Sequence, residues 1–311
     1  MKRILIMLFA AVLTASSLGG CSKQGTRLSI ATGGTTGVYY VYGGGYAKII
    51  SANLDGVEAT ASATSASVDN IKLVTSGRAD VAFTLADTAA DAVQGKESFG
   101  SPQPVRALAR IYDNYTQVAA TEGSGVKKVA DLKGKRVSIG APNSGTLVIA
   151  QRMLAAAGLD PAGDIRAQRL GINESVQAMK DGTIDAFFWS GGVPTAGITD
   201  LTSTKKDVTL VDTTDLLPAL QQRYGNVYRE LTISGSAYGL PGDVQTVGVA
   251  NYLLVSDKMS DDLAFDLTKV LFDKKADLAR VHPEAKNLDK QVAQQVTPAQ
   301  LHPGARRYFT G

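Results

Sequence analysis

Two stretches far apart in the chain repeat one pattern: "KLVTSGRADVAFT", starting at Lys72, and "AMKDGTIDAFFW", starting at Ala178. Each reads as the end of a helix, a glycine, two residues, an aspartate and an apolar strand. Gly77 thus corresponds to Gly182, and Asp80 to Asp185. The segments before them match as well. "RLSIA" and "KRVSIG" are β-rich runs, each followed by a glycine-containing loop and then a helical pattern, and the spans from Gly37 to Gly77 and from Gly145 to Gly182 are similar. A chain that runs strand, glycine loop, helix, strand, helix, strand twice over is constrained to two α/β units with largely parallel sheets, that is, two lobes.

In the first unit "RLSIA" is the first strand. The helix after the loop carries Val38, Val41, Tyr42, Gly45 and Ile49 at helical period, which predicts that face as the buried one. "VEATASA" is the second strand, Ser67 is the expected N-cap of "VDNIKLVTSG" with Gly77 as its stop, and "ADVAFT" is the third strand. In the second unit "LVIAQRMLAAAG" and "NESVQAMKDG" are helices, and "DIRAQRL" and "TIDAFFW" are strands. Two longer β-rich runs, "ARIYDNYTQVAAT" and "TVGVANYLLVS", can carry the chain from one lobe to the other and back. Two crossings with a ligand between the lobes is the plan of a hinged binding protein.

The first twenty residues are set apart as a targeting segment: Lys2 and Arg3, an apolar run from Ile4 to Ala15, then Leu18-Gly19-Gly20-Cys21 as a cleavage site. The run is shorter than the about 20 residues that span a bilayer. Cys21 is the sole cysteine, so it has no disulfide partner within the chain, and the pattern resembles a bacterial lipoprotein signal. Acyl chains on Cys21, at about 0.8 kcal/mol per buried methylene, make a stable membrane anchor. The expected layout is a lipoprotein signal peptide over 1–20, a lipidated tether over 21–26, a first lobe of 27–116 plus 250–311, and a second lobe of 117–249. Loss of the signal lowers the formal charge from +3 to +1, which leaves no electrostatic footprint for nucleic acid.

Three loops at strand ends carry the candidate chemistry: Gly33-Gly34-Thr35-Thr36-Gly37, Asn143-Ser144-Gly145-Thr146, and Ser190-Gly191-Gly192 after Trp189, with Pro194 near the first turn of the helix that follows. Each brings backbone N–H groups to a helix N-terminus, which favours an anion, at the carboxyl ends of strands where open α/β sheets bind ligands. The first two loops contain no GxxxxGKS/T string, no lysine and no arginine, and GxGxxG is absent from the first strand–helix junction. Small hydroxyls and bare backbone suit a carboxylate. At about 1.5–3 kcal/mol per hydrogen bond to a charged acceptor, four or five donors supply the roughly 8 kcal/mol of micromolar binding after ordering costs. Tyr39 and Tyr40 are adjacent on their helix, so one is expected inside and the other on the cleft. Trp189, the only tryptophan, is expected as a cleft wall.

Catalysis finds little to work with. His282 and His302 are the only histidines, both precede proline far from the loops, and no cysteine beyond Cys21 is available. Asp80 and Asp185 more simply pair near strand starts. The expectation is a binding protein, not an enzyme, with no cofactor and no metal.

The strings "ATGGTTGVYY", "DLKGKRVSIGAPNSGT", "DGTIDAFFWSGGVPTAGITDL" and "LHPGARRYF" resemble the TAXI family of solute-binding proteins, the TRAP-associated extracytoplasmic receptors of tripartite ATP-independent periplasmic transporters. The resemblance covers about residues 28–309. It implies a type II periplasmic-binding-protein-like α/β fold of two lobes, and a small organic acid or amino acid as ligand, of glutamate, glutamine or dicarboxylate type. It also implies a monomeric receptor outside the cytoplasm, in the periplasm or at the cell surface, that delivers its ligand to the TRAP permease membrane subunits. The ligand would be held by Gly34, Thr35, Thr36 and Tyr39, by Asn143, Ser144, Gly145 and Thr146, and by Trp189, Ser190 and Gly191. The chain departs from the pattern at Leu85-Ala86-Asp87, where many members have glutamine-serine-aspartate, and at "TSAS" ending in Ser67, which replaces a glycine-richer segment. Ser67 and Asp87 therefore join the cleft candidates. Two alternatives keep the same fold: the ligand-binding part of a sensor system, and the receptor of an ABC-type importer.

Overall fold

Two long strands, β4 (Val105–Thr121) and β10 (Val244–Ser256), run through the whole molecule. At about 3.3 Å per residue, the 17 residues of β4 reach roughly 55 Å. The computed structural model describes residues 25–311; the targeting segment and Cys21 lie outside the described residues. β4 and β10 pair antiparallel from Val105 against Ser256 to Tyr115 against Gly248, with register shifts at Ala250/Tyr252 and Leu253/Leu254.

Each long strand then serves as the antiparallel partner of three parallel ones. β1 (Thr26–Ala31), β2 (Val57–Ser62) and β3 (Val81–Leu85) meet β10 in the order β2-β1-β3-β10. β5 (Arg136–Ser138), β6 (Arg166–Gln168) and β7 (Ala186–Gly191) meet β4 in the order β6-β5-β7-β4. β8 (Val208–Val211) covers the far side of β4, and β9 (Tyr228–Ile233) covers β10. The two halves thus share one strand order, and the chain crosses between them on β4 and β10, as the two β-rich runs led one to expect.

The helices are α1 (Val38–Asn53), α2 (Ser67–Thr75), α3 (Ala86–Gln94), α4 (Gly145–Ala156), α5 (Ile172–Lys180), α6 (Ala196–Thr204), α7 (Leu217–Tyr224), α8 (Asp261–Asp273), α9 (Lys275–Val281) and α10 (Pro303–Thr310). The repeat seen in the letters has a physical basis. The backbone N–H of Ser29 donates to Asp80 Oδ2 at 2.7 Å, and that of Arg136 donates to Asp185 Oδ2 at 2.8 Å. Gly77 and Gly182, with φ of 70° and 67°, end the preceding helices in the left-handed conformation. Each aspartate therefore ties the start of the third strand of its lobe to the first strand.

One apolar cluster runs across both halves, bringing Val68 and Ile71 of α2 together with Ile149 and Met153 of α4. A second packs α1 and α8 on the first lobe, and a third packs α5 and α6 on the second. Four local expectations need correction. The buried face of α1 is turned by one position: Tyr39, Tyr42 and Tyr46 are inside with Val38 and Ile50, while Val41 and Ile49 are half-buried. Tyr42 and Tyr39 pack on Phe83, so aromatic packing decides the face rather than the aliphatic positions. Ser67 is the first residue of α2, not its cap, and its Oγ accepts from the N–H of Leu85 at 3.1 Å. Trp189 lies within β7 rather than at its end, and Pro194 precedes the N-cap Thr195 instead of sitting in the first turn of α6. No described helix is long and apolar enough to cross a membrane.

Candidate functional site

Between the lobes lies a cavity of about 360 Å³, bounded by the loops that follow β1, β2, β5 and β6 and by the ends of β3 and β7. From the first lobe Gly33, Gly34, Gly37, Tyr39, Ser67 and Leu85 line it; from the second, Gly140, Ser144, Gly145, Thr146, Trp189, Ser190 and Gly191. Nine of the expected site residues are therefore brought together: Gly34, Tyr39, Ser67, Ser144, Gly145, Thr146, Trp189, Ser190 and Gly191.

The first jaw forms because Gly37 N–H donates to the Gly34 carbonyl at 2.9 Å, which turns the chain so that Gly37 becomes the N-cap of α1. No side chain caps this helix, so its first N–H groups depend on solvent or a ligand. The second jaw is capped: Ser144 Oγ accepts from Leu147 N–H at 3.0 Å. Thr146 Oγ1 in turn accepts from the N–H of Ser190 at 3.2 Å, tying the third loop to the second. Both hydroxyls accept internally and keep an O–H to donate into the cavity. Trp189 Nε1 donates to Thr195 Oγ1 at 3.0 Å, which ties the indole to the N-cap of α6. A Cβ on Gly191 would stand 2.2 Å from Trp189 Nε1, so only glycine lets the indole fold over this position.

Beneath the cavity a chain of buried amides crosses the two long strands. Tyr39 Oη donates to Asn251 Oδ1, Asn251 Nδ2 donates to Asn114 Oδ1 at 2.8 Å, and Asn114 Nδ2 donates to the Ser190 carbonyl at 3.1 Å. This network runs from α1 of the first lobe to β7 of the second through the strands on which the lobes hinge. Burial raises the pKa of Tyr39, so its phenol stays neutral and donates. Sequence reasoning missed Asn114 and Asn251, although a signal was present: "DNY" and "ANY" each place a polar amide inside an otherwise β-rich crossing run. It also missed Tyr112 and the stretch from Arg169 to Glu174, which lines the cavity from the second lobe. Arg169 and Glu174 are exposed side chains of opposite sign. The remaining lining is uncharged.

Four expected site residues do not line the cavity. Thr35 and Thr36 stand at its mouth and bond to Asn173 of the opposite lobe: Asn173 Nδ2 donates to Thr35 Oγ1 at 3.3 Å, and Thr36 Oγ1 donates to Asn173 Oδ1. Asn143 has φ of 61°, and its carbonyl accepts from Asp69 N–H at 3.1 Å, a bond between lobes that leaves the side chain outside the lining. Asp87 is fully buried away from the cavity. Its Oδ1 accepts from the N–H of Thr88 at 2.6 Å and its Oδ2 from Tyr228 Oη at 2.8 Å. Arg152 of α4 lies 3.7 Å from the same Oδ2 and clasps Asp91 with two bonds of 2.6 and 2.8 Å. Burial opposes the Arg152 charge, but Asp87, Tyr228 and Asp91 more than restore it, and its pKa is raised. The position of Asp87 in the first turn of α3 rotates it from the cleft into this pairing between α3 and α4.

The described lobes are in contact. Gly145 approaches Ser67 and Leu85 so closely that a Cβ would meet them at 2.5 and 2.6 Å. The N–H of Val193 donates to Glu284 Oε1 at 2.8 Å, joining the loop after β7 to the C-terminal segment on the first lobe. The two histidines serve as caps, His282 Nδ1 accepting from Glu284 N–H and His302 Nδ1 from Gly304 N–H, both at 3.2 Å. Among the described residues no group of three His, Cys, Asp or Glu is placed to hold a metal.

Two α/β lobes of one strand order, joined by two crossing strands and closed over a cavity of hydroxyls and backbone donors, define the fold of the periplasmic solute-binding proteins. The chain belongs to the NMT1-like family, whose model matches residues 30–310. Solved structures of the same fold include the periplasmic aliphatic sulphonate-binding protein SsuA of Escherichia coli, 14% identical with a TM-score of 0.51 over 92% of this chain and 83% of that one. A binding protein of an ABC phosphonate transporter from Pseudomonas aeruginosa is 13% identical, with a TM-score of 0.58 over 84% of this chain and 79% of that one. PhnD1 of Prochlorococcus marinus, solved with methylphosphonate, is 11% identical, with a TM-score of 0.55 over 84% of this chain and 90% of that one.

Proposed function

We propose that this chain is an extracytoplasmic solute receptor that captures a small carboxylate or amino acid by closing its lobes and delivers it to the permease of a TRAP transporter. One observation carries the reading: helix N-termini from opposite lobes, at Gly37 and at Ser144, border one interlobe cavity in which hydroxyls and N–H groups outnumber charges. Such donors suit a ligand carboxylate without a buried cation. The lobes in this reading are 27–116 plus 250–311 and 117–249, and Cys21 carries the lipid that holds the receptor at the membrane. The role proposed is binding rather than turnover.

A second reading, the receptor of an ABC-type importer, is supported by the fold shared with the binding protein of an ABC phosphonate transporter. It would place a sulfonate or phosphonate in the same cavity. A thermal-shift screen of amino acids, dicarboxylates, sulfonates and phosphonates tests the ligand class, because a ligand at 100 times its Kd stabilises by about 2.7 kcal/mol. Vesicles bearing the partner permease then separate the transporters: uptake driven by a sodium gradient supports TRAP, and uptake that requires ATP refutes it. A screen in which no compound raises the midpoint would refute both readings.

A further inference from the structure

On the opposite side of the hinge strands from the amide chain's partners lies a second cavity, of about 400 Å³, lined by two arginines. Arg110 stands on the first-lobe half of β4 and Arg229 on β9. Their places along β10 are Tyr252 and Gly248, either side of the register shift at Ala250/Tyr252. Both guanidinium groups meet one carboxylate: Arg110 Nη2 donates to Asp113 Oδ1 at 2.9 Å, and Arg229 pairs with Asp113 Oδ2. Among the described residues no other acidic side chain lies within ion-pair distance of either arginine. Two cations against one anion leave a single positive charge, in a pocket whose rim adds the amides of Gln94, Asn226 and Gln295.

We propose that this hinge cavity is a second ligand site, which takes a singly charged organic anion, a carboxylate or sulfonate, between Arg110 and Arg229. The charge balance selects a monoanion, because a dianion would leave the half-buried pocket net negative. A guanidinium has five N–H donors, of which Asp113 uses a minority on each arginine, so both forks have donors to spare. Burial, and then repulsion from Arg110, bring the Arg229 pKa down to about 10, a cost that a bound anion relieves. Because the arginines stand on strands either side of the hinge, an anion between them holds the described arrangement of the lobes. By reciprocity the two sites are then coupled.

Acetate and methanesulfonate, exchanged for chloride at constant ionic strength, are the probes, and the melting midpoint is the readout. The wild-type midpoint should rise with either anion. The rise should persist in Gly34→Asp, where a Cβ meets only Ile172 at 3.4 Å, so that the lobes stay together while a carboxylate in the interlobe cleft repels anions there. Arg229→Gln should weaken the anion's apparent affinity at least about tenfold, as expected for loss of a charged fork. Gln94→Glu, on the exposed end of α3, keeps both arginines and should do the same by placing a carboxylate at the rim, so that the outcome does not hang on Arg229→Gln folding. The proposal is overturned by no rise in the wild type, by a rise unchanged in Gln94→Glu, or by one abolished in Gly34→Asp. Failure of the cleft reading would leave these results untouched, since they depend on neither Ser144 nor Trp189.

Discussion

Arg152→Met is the most incisive perturbation of the frame around the cleft. Arg152, Asp87 and Asp91 are 6%, 0% and 8% exposed, so the change strands two carboxylates in an environment that water scarcely reaches. Removing one partner of a buried ion pair costs about 3–5 kcal/mol. Here Tyr228 still donates to Asp87 at 2.8 Å and Thr88 N–H at 2.6 Å, which places the loss toward the lower end. For a chain of this size about 3 kcal/mol corresponds to a fall in the melting midpoint of roughly 5 °C. Scanning calorimetry measures it directly. The triple variant Asp87→Asn, Asp91→Leu, Arg152→Met removes the charges together and should recover most of the loss, because a buried ion pair replaced as a unit by apolar groups is close to neutral. Cleft ligands should bind the triple variant nearly as they bind wild type, since none of the three residues lines the cavity. A single variant that loses under about 1 kcal/mol, or a triple variant that is no more stable than the single one, would refute the reasoning.

Gly145→Ala adds a methyl 2.5 Å from Ser67 Oγ and 2.6 Å from Leu85 Cδ1, so the lobes must part by about 1 Å. Overpacking of about 1–3 kcal/mol bears on the closed form alone and should weaken ligand binding about 5- to 150-fold, with an expanded scattering profile in solution. Asn251→Leu leaves the Asn114 Oδ1 and Tyr39 Oη bonds unmade, and should cost about 1–3 kcal/mol of stability in urea titrations together with affinity for the ligand. The pH profile has two limbs. Burial lowers the His282 pKa, so its contribution is present above the ordinary value of 6.5 and is lost as pH falls through the lowered value. Burial raises the Glu284 pKa, so that contribution is present below the ordinary carboxylate value of 4.5 and is lost as pH rises through the raised one. Each proton gives a slope of at most about 1.4 kcal/mol per pH unit, and His282→Gln should flatten the His282 limb in melts between pH 7 and 5.

The architecture was legible because the repeat is written twice. Gly77-Asp80 and Gly182-Asp185 sit at positions where a left-handed turn and a backbone-accepting carboxylate are both required, and few other residues meet either demand. The cavity was legible where backbone makes it, at Gly34, Ser144, Gly145 and Gly191, since a loop rich in small residues is marked in the letters. It was not legible where orientation decides. Thr35 and Thr36 differ from Gly34 by one and two positions, yet the turn closed by Gly37 and Gly34 carries them to the rim. Asp87 reads as a cleft acid until the helix phase of α3 aims it at Arg152, 65 residues further along the chain and in the other lobe. Arg169, Asn173 and Glu174 were overlooked because the loop into α5 carries no run of glycine and hydroxyl residues to announce it.

The placing of charge also bears on how the molecule can work. The ion pairs of Arg152 with Asp87 and Asp91 and of Arg110 and Arg229 with Asp113 lie away from the cleft, while the cavity offers hydroxyls, amides and helix N-termini, with the exposed Arg169 and Glu174 as its charges. A buried cation in the cleft would hold an anion tightly but would be left unpaired, at a cost of several kcal/mol, each time the ligand departed. N–H groups at a helix N-terminus carry only partial charge and are rehydrated when the lobes part, so the empty state is tolerable. A receptor that must release its ligand in every cycle gains from that difference, whereas the pairs between α3 and α4 beside the hinge keep permanent partners and can serve as fixed structure. The same charges, set in the cavity, would oppose turnover of the ligand; set outside it, they hold the frame in which the neutral cleft closes.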